Sequence, residues 1–302
     1  MIRLHRLLYS FVCCGIAATI ISSCANDDDL SSTSIFENDI AKPAVKSDFD
    51  KWLDTHYVKN YNIDLKYRLD DIQTDFTYNL IPADEQKSIR MAHAILYGWL
   101  QAYDEVAGID FTRSYAPKII HLIGSYPWDR KGSIKLGTAE DGLKVTFYNI
   151  NNFKVTADSL SEYFQIMHHE FTHILTHNKD YDVAFRAISD TSYVNGGWPA
   201  FREEEALQRG FINNYAMKEY NEDFAEMLSF YLVFTQEYWD RQMNRAGDTG
   251  KPILQKKLDM VRTYMLSAWG VDIDVLRTVL HRRVNEIASG KVDLEDLSLS
   301  EN

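Results

Sequence analysis

Two histidines four residues apart, with a glutamate after the first, are the residues of this chain best suited to chemistry: His169-Glu170-Phe171-Thr172-His173. On a helix, positions four apart share one face and lie about 6 Å apart along the axis. Two imidazoles so placed can close on one zinc ion at ~2.0–2.1 Å per bond. The carboxylate of Glu170 can then take a proton from water that zinc has acidified to a pKa of ~7. The chemistry such a set performs is hydrolysis at a carbonyl centre. Incidental surface histidines are the plain alternative, and the setting argues against it. Phe164, Ile166, Met167, Phe171, Ile174 and Leu175 surround the motif with apolar positions at helical spacing.

Catalytic zinc usually keeps three protein ligands and one open position. His177 stands eight residues from His169, about 12 Å along the axis, too far for one ion to hold both. The metzincin pattern would need glycine at 176 and histidine at 179, where this chain has Thr176 and Lys179. The aspzincin pattern needs Gly-Thr-x-x-Asp downstream of the helix. Gly137-Thr138-Ala139-Glu140-Asp141 has those letters but lies upstream and fits a hairpin better. A glutamate on a later helix remains. Asn221-Glu222-Asp223-Phe224-Ala225-Glu226 opens a helix running to about Phe234, with Glu222 and Glu226 on one face. Glu222 can be the third ligand, and Glu226 can accept the free ring N–H of a ligand histidine. Glu203, Glu204 and Glu205 are rivals, though three consecutive acids read more simply as an exposed run.

The elements that must position these residues follow from periodicity. Ser47 is a plausible cap for a helix carrying Phe49, Trp52, Leu53 and Tyr57. Tyr61 to Leu69 alternates as a half-buried strand, and Pro82-Ala83-Asp84-Glu85 opens a helix through about Glu105. Strand-like runs follow at Lys118–Ile123, Ser133–Leu136 and Leu143–Ile150, the last two forming a hairpin across Asp141-Gly142. From Asp158, a candidate helix cap, the chain is mainly helical, with breaks at Gly196-Gly197-Trp198-Pro199 and at 246–250. Strands first and helices later give an α+β class, with a small sheet and a mainly helical C-terminal half. The helices after about 250 either complete the core or form a subdomain; Leu254, Leu258, Val261, Tyr264, Met265 and Leu266 are apolar at near-helical spacing.

The 302 residues, 45% hydrophobic and 13% aromatic, suffice for a sizeable core. A net charge of −12 argues against nucleic acid as a partner, because phosphate contacts need clustered Lys and Arg. Arg3 and Arg6, the apolar run Leu7–Ile21 and the ending Ile21-Ser22-Ser23-Cys24 read as a signal peptide over residues 1–23. The ending resembles a bacterial lipobox, which implies cleavage before Cys24 and its lipidation. Cys13 and Cys14 leave with the signal, so the exported domain must fold without disulfides. Residues 24–46 read as a flexible tether, with Asp27-Asp28-Asp29 beside Ser31-Ser32-Thr33-Ser34. Such an acidic run also resembles the surface-export signal of lipoproteins in Bacteroidota-type bacteria.

The pairing of His169-Glu170-Phe171-Thr172-His173 with Glu222-Asp223-Phe224-Ala225-Glu226 resembles gluzincins of the anthrax lethal factor type. That resemblance implies a zincin-like fold and places an active-site tyrosine seven residues before the ligand glutamate, at Tyr215. Its hydroxyl would stabilise the developing oxyanion. Over roughly residues 47–240 the chain is similar to the substrate import-associated zinc metallohydrolase lipoproteins. The likeness includes Tyr61-Asn62-Ile63, Ile123-Gly124-Ser125, Leu136-Gly137-Thr138-Ala139 and His168-His169. Membership would imply one catalytic Zn²⁺, a lipid-anchored place on the outer membrane at the cell surface, and a TonB-dependent importer as partner. In zincins generally the edge strand of the hairpin pairs with extended substrate, a role assigned here to Ser133–Leu136 or Leu143–Ile150. His168, rotated about 100° from His169, is read as supporting and not as a ligand. Three functions fit: a peptidase trimming peptides or proteins before uptake, an importer component holding zinc without turnover, and a hydrolase of a non-peptide amide. The intact Glu170 favours turnover, since a structural site needs no base.

Overall fold

The first helix, α1 (Asp48–Leu53), begins at a capping box. Ser47 Oγ accepts from the Asp50 N–H at 3.1 Å, and Asp50 Oδ2 accepts from the Ser47 N–H at 2.8 Å. The computed structural model describes residues 45–69, 78–127, 137–140 and 143–299, and Ser47–Asn302 form one compact unit. The signal, Cys24 and all but the last two residues of the tether lie outside the described residues, as does the expected strand at Ser133–Leu136.

After α1 the chain passes through a π-helical turn, Asp54–Lys59, to β1 (Asp64–Lys66). The alternation from Tyr61 onward is real in burial: Tyr61, Ile63, Leu65 and Tyr67 all face the core. The ladder is shorter than that alternation, because Asn62 takes a left-handed φ of 56° that no strand sustains. Helix α2 comprises Glu85–Ile95, a π-helical turn Leu96–Leu100, and Gln101–Ala107; Asp84 Oδ1 caps it by accepting from the Lys87 N–H at 2.9 Å. Helix α3 (Ile109–Tyr115) leads into β2 (Ile119–Leu122), followed by β3 (Gly137–Glu140) and β4 (Lys144–Phe147).

The sheet has the order β1-β2-β4-β3. Its first three members run parallel, with Ile120 level with Leu65 and Val145, and β3 returns antiparallel to β4. A hairpin is formed by β3 and β4, and its first strand includes residues 137–140, which the sequence reading placed in the loop. Strand β4 is paired on both sides and has no free edge for a substrate strand, which corrects the role given to Leu143–Ile150.

Helix α4 (Ala157–Asn178) crosses the core. Its cap is Thr156, whose Oγ1 accepts from the Ser159 N–H at 3.3 Å. Asp158, expected as the cap, instead sits in the first turn, where the helix dipole favours an acid. Close approach to α2 depends on Gly98, where a Cβ would stand 2.5 Å from Phe164 Cζ. Helices α5 (Ala184–Ile188), α6 (Glu203–Gln208), α7 (Tyr220–Val233), α8 (Gln236–Trp269) and α9 (Ile273–Ala288) complete the C-terminal half. The break expected at 246–250 is a kink in α8 at Gly247, which has a φ of 66°. Leu254, Leu258 and Val261 of α8 and Leu276 and Leu280 of α9 join the same buried cluster as Phe49, Ile120 and Phe171. The architecture is α+β and mostly helical, with α4 packed along α7. No helix among the described residues is long and apolar enough to cross a membrane.

Candidate metal centre

Helix α4 buries Leu160, Phe164, Met167, Phe171 and Leu175, and this fixes its rotation. His169 and His173 then fall together on the side that meets α7. Their Nε2 atoms lie 3.1 Å apart. Oε2 of Glu222, from the first turn of α7, stands 3.1 Å from the His169 nitrogen and 3.2 Å from that of His173. Three donors at such spacing form one face of a tetrahedron. An ion ~2.0–2.1 Å from each would see them about 100° apart, close to the angle zinc adopts. Two imidazoles and one carboxylate are also a donor set that zinc favours, so these residues fit the metal. Glu170 brings a carboxylate oxygen within 4.8 Å of the two histidine donors, beside the triangle.

The surroundings hold each donor in place. His169 Nδ1 lies 2.6 Å from Glu226 Oε1, which leaves Nε2 as the atom turned to the triangle. Glu226 is itself held: Gln165 Nε2 donates to it at 3.2 and 3.3 Å, and Asn213 Nδ2 donates to Oε2. The other oxygen of Glu222, Oε1, accepts from Lys218 Nζ at 2.6 Å and from the Tyr215 hydroxyl at 3.0 Å. Tyr215 is carried by a 3₁₀ turn, Tyr215–Met217, immediately before α7, and its ring meets Trp198 edge-on at 5.0 Å. His168 points the other way: its Nδ1 is 3.0 Å from the Tyr103 hydroxyl in the core, and burial pushes its pKa down to about 3. It is a supporting residue and not a ligand candidate. Glu203, Glu204 and Glu205 lie on α6, where Glu204 pairs with Arg245 and Glu205 accepts from the Arg202 N–H at 3.0 Å.

Electrostatics fits the same assignment. Burial disfavours a charged His169, but Glu226 and Glu222 outweigh it and push the ring up to about 10. Metal binding would then release that proton. Burial raises Glu222, and the donors His169, His173 and Lys218 together more than reverse this, holding the carboxyl well below its usual range. Burial pushes Glu170 up, against the opposing pull of His169 and His173, which moves it toward the range useful to a general base. Burial and the neighbouring Glu222 both push Tyr215 up, so its hydroxyl keeps its proton and can donate.

The structure brings His169, Glu170, His173, Tyr215, Glu222 and Glu226 into one cluster. Sequence reasoning missed Lys218, Gln165 and Asn213. Two of these had a local signal, since Lys218 is four residues before Glu222 and Gln165 four before His169. It also missed a fully buried ion pair, Lys257 Nζ to Asp223 Oδ2 at 2.7 Å, that ties the first turn of α7 to α8.

Residues 42–274 match the family described as "Putative zinc-binding metallo-peptidase". A crystal structure of a protein of that same description, from Bacteroides caccae, is 46% identical to this chain. The match covers 83% of this chain and 96% of the other, with a TM-score of 0.75. Among curated proteins no match is found. The match to the family spans most of the chain, and the chain belongs to this family.

Proposed function

We propose that this protein is a gluzincin-type zinc peptidase with a zincin-like fold, using His169, His173 and Glu222 as ligands and Glu170 as base. The observation that carries the reading is the triangle of His169 Nε2, His173 Nε2 and Glu222 Oε2, with edges of 3.1–3.2 Å and the half-buried Glu170 carboxylate beside it. Zinc, when bound, supplies a Lewis acid that acidifies water and polarises a carbonyl. Glu170 accepts the proton of the attacking water and returns it to the leaving amine. Tyr215 donates its hydroxyl to the oxygen on which negative charge develops, exchanging its contact with Glu222 Oε1 for that one. Glu226, braced by Gln165 and Asn213, holds the His169 ring in the tautomer that bonds metal.

The place of action we propose is the outer-membrane surface, through a lipid on Cys24, beside a TonB-dependent importer that takes up the products. The support for the anchor is the sequence of residues 1–29, with a short basic start, an apolar run, the lipobox-like ending and the acidic triplet, and the importer follows from the resemblance over residues 47–240. Fatty-acid labelling that persists in a Cys24→Ala variant would remove the anchor from the account.

The activity is tested by incubating the zinc-loaded protein with a diverse peptide library and reading the products by mass spectrometry, with Glu170→Gln in parallel. The expected result is cleavage by the wild type and none by the variant, although both hold zinc. No cleavage by either, with zinc confirmed, would favour an importer component without turnover or a hydrolase of non-peptide amides. Equal cleavage by both would sink the role of Glu170.

A further inference from the structure

Beside the metal ligands, a polar cavity of about 390 Å³ opens between the end of α4, α5 and the start of α7. It is lined by His173, Thr176, His177, Asp180, Arg186 and Asn221. Its volume falls in the lower range of ligand pockets, ~300–1,000 Å³. Because His173 forms part of its wall, whatever extends from the scissile bond in that direction enters it.

The polar groups in this cavity are unevenly committed. Asp180 is the acid in the lining, and both its oxygens are engaged: Oδ1 accepts from the Tyr181 N–H at 2.9 Å and Oδ2 from Arg186 Nη2 at 2.6 Å. The carboxamide oxygen of Asn221 accepts from the Tyr181 hydroxyl at 2.9 Å, which leaves its Nδ2 as the group facing a ligand. Arg186 lies 4.6 Å over the Tyr220 ring and 5.4 Å from that of Tyr181. Those rings and Asp180 fix the plane of the guanidinium, so little side-chain entropy remains to be lost when it binds. The side chain of Arg186 is still 34% exposed. Thr176 Oγ1 spends its proton on the His173 carbonyl at 3.2 Å, and Asp180 remains an exposed acceptor at the edge, so the donors left to a ligand are the Arg186 N–H groups other than the one held by Asp180 and the Asn221 amide.

We infer that this cavity is a carboxylate subsite, in which Arg186, assisted by Asn221 and His177, holds a carboxylate of the substrate on the His173 side of the metal. The inference rests on the peptidase reading above and narrows its substrate class. The carboxylate is either the C-terminus of a short peptide or an acidic side chain near the scissile bond; planar, bidentate recognition by guanidinium suits both.

The test uses three peptide sets with one common core: a free C-terminal carboxylate, a C-terminal amide, and a C-terminal amide with Glu near the cleaved bond. Cleavage is followed with the zinc-loaded protein, and binding with zinc-loaded Glu170→Gln by fluorescence anisotropy. Either carboxylate set should be favoured over the neutral amide by about tenfold or more, as a charge-assisted pair implies. Which set is favoured identifies the source of the carboxylate. Arg186→Gln should abolish the ratio, and Arg186→Lys, which keeps the charge without the planar fork, should lower it. Equal treatment of neutral and carboxylate peptides overturns the subsite, as does a preference that survives Arg186→Gln. Arg186-dependent binding of carboxylates without cleavage of any set would retain the subsite and remove the peptidase reading instead.

Discussion

Replacing Lys257 by Met should be among the most damaging single changes outside the metal centre. Its ammonium is fully buried, 2.7 Å from Asp223 Oδ2 and 2.7 Å from the Gly210 carbonyl, and 3.9 Å from the Phe211 ring centroid. Asp223 also accepts from the Tyr193 hydroxyl at 2.8 Å. Removing the cation leaves a buried carboxylate with that one donor, a loss that typically costs about 3–5 kcal/mol. At about 2–4 °C per kcal/mol for a domain of this size, Tm should fall by roughly 6–20 °C. Burial already raises Asp223, against the pull of Lys257, and without Lys257 its folded-state pKa must rise further. A folded pKa above the unfolded one gives stability that is present at acid pH and lost as pH rises through the folded value. The deficit against wild type should therefore be largest at neutral pH and shrink toward pH 4. Adding Asp223→Asn removes the stranded charge and should restore most of the loss. Calorimetric melts of wild type, both single variants and the double variant, at neutral and acid pH, decide this. A double variant no better than Lys257→Met, or a deficit that does not change with pH, would refute the reasoning.

Three further outcomes concern the metal centre. Glu226→Gln and Lys218→Met should each weaken zinc binding by about 10–100-fold, read by competition with a chelating dye, because each removes the group that orients a ligand; unchanged affinity would contradict the roles of both. Tyr215→Phe should lower kcat by about 10²–10³ with KM nearly unchanged, as loss of an oxyanion donor does. A rise in KM alone would make Tyr215 a binding residue. With His169 at about 10 before metal binds, zinc uptake near pH 7 should release a proton, and affinity should climb about tenfold per pH unit up to that range. Calorimetry in buffers of different ionisation enthalpy counts that proton.

Much of the site was legible because its parts are local. A period of 3.6 aligns His169 with His173 and Glu222 with Glu226, and the apolar stripe of α4 announces which way that helix must face. What escaped was set by partners distant in sequence. Asp223 and Lys257 are 34 residues apart, and nothing local links them. The hint was a lysine on the apolar stripe of Leu254, Leu258 and Val261, where a solvated side chain has no place. Strand limits were misread for a different reason: alternation reports which side chains are buried, and backbone pairing obeys further constraints. Asn62 with its positive φ shortens the ladder at one end of β1, and β4 lost its expected edge because β2 and β3 both pair with it.

The central claim is that one zinc ion sits between α4 and α7 with Glu170 left free to act as base. Anomalous diffraction at the zinc edge, from crystals of the zinc-loaded protein, tests it most directly. One peak is expected ~2.0–2.1 Å from His169 Nε2, His173 Nε2 and Glu222 Oε2, with the Glu170 carboxylate beyond bonding distance. A peak ligated by Glu170 in place of Glu222, or one lying elsewhere, would contradict it.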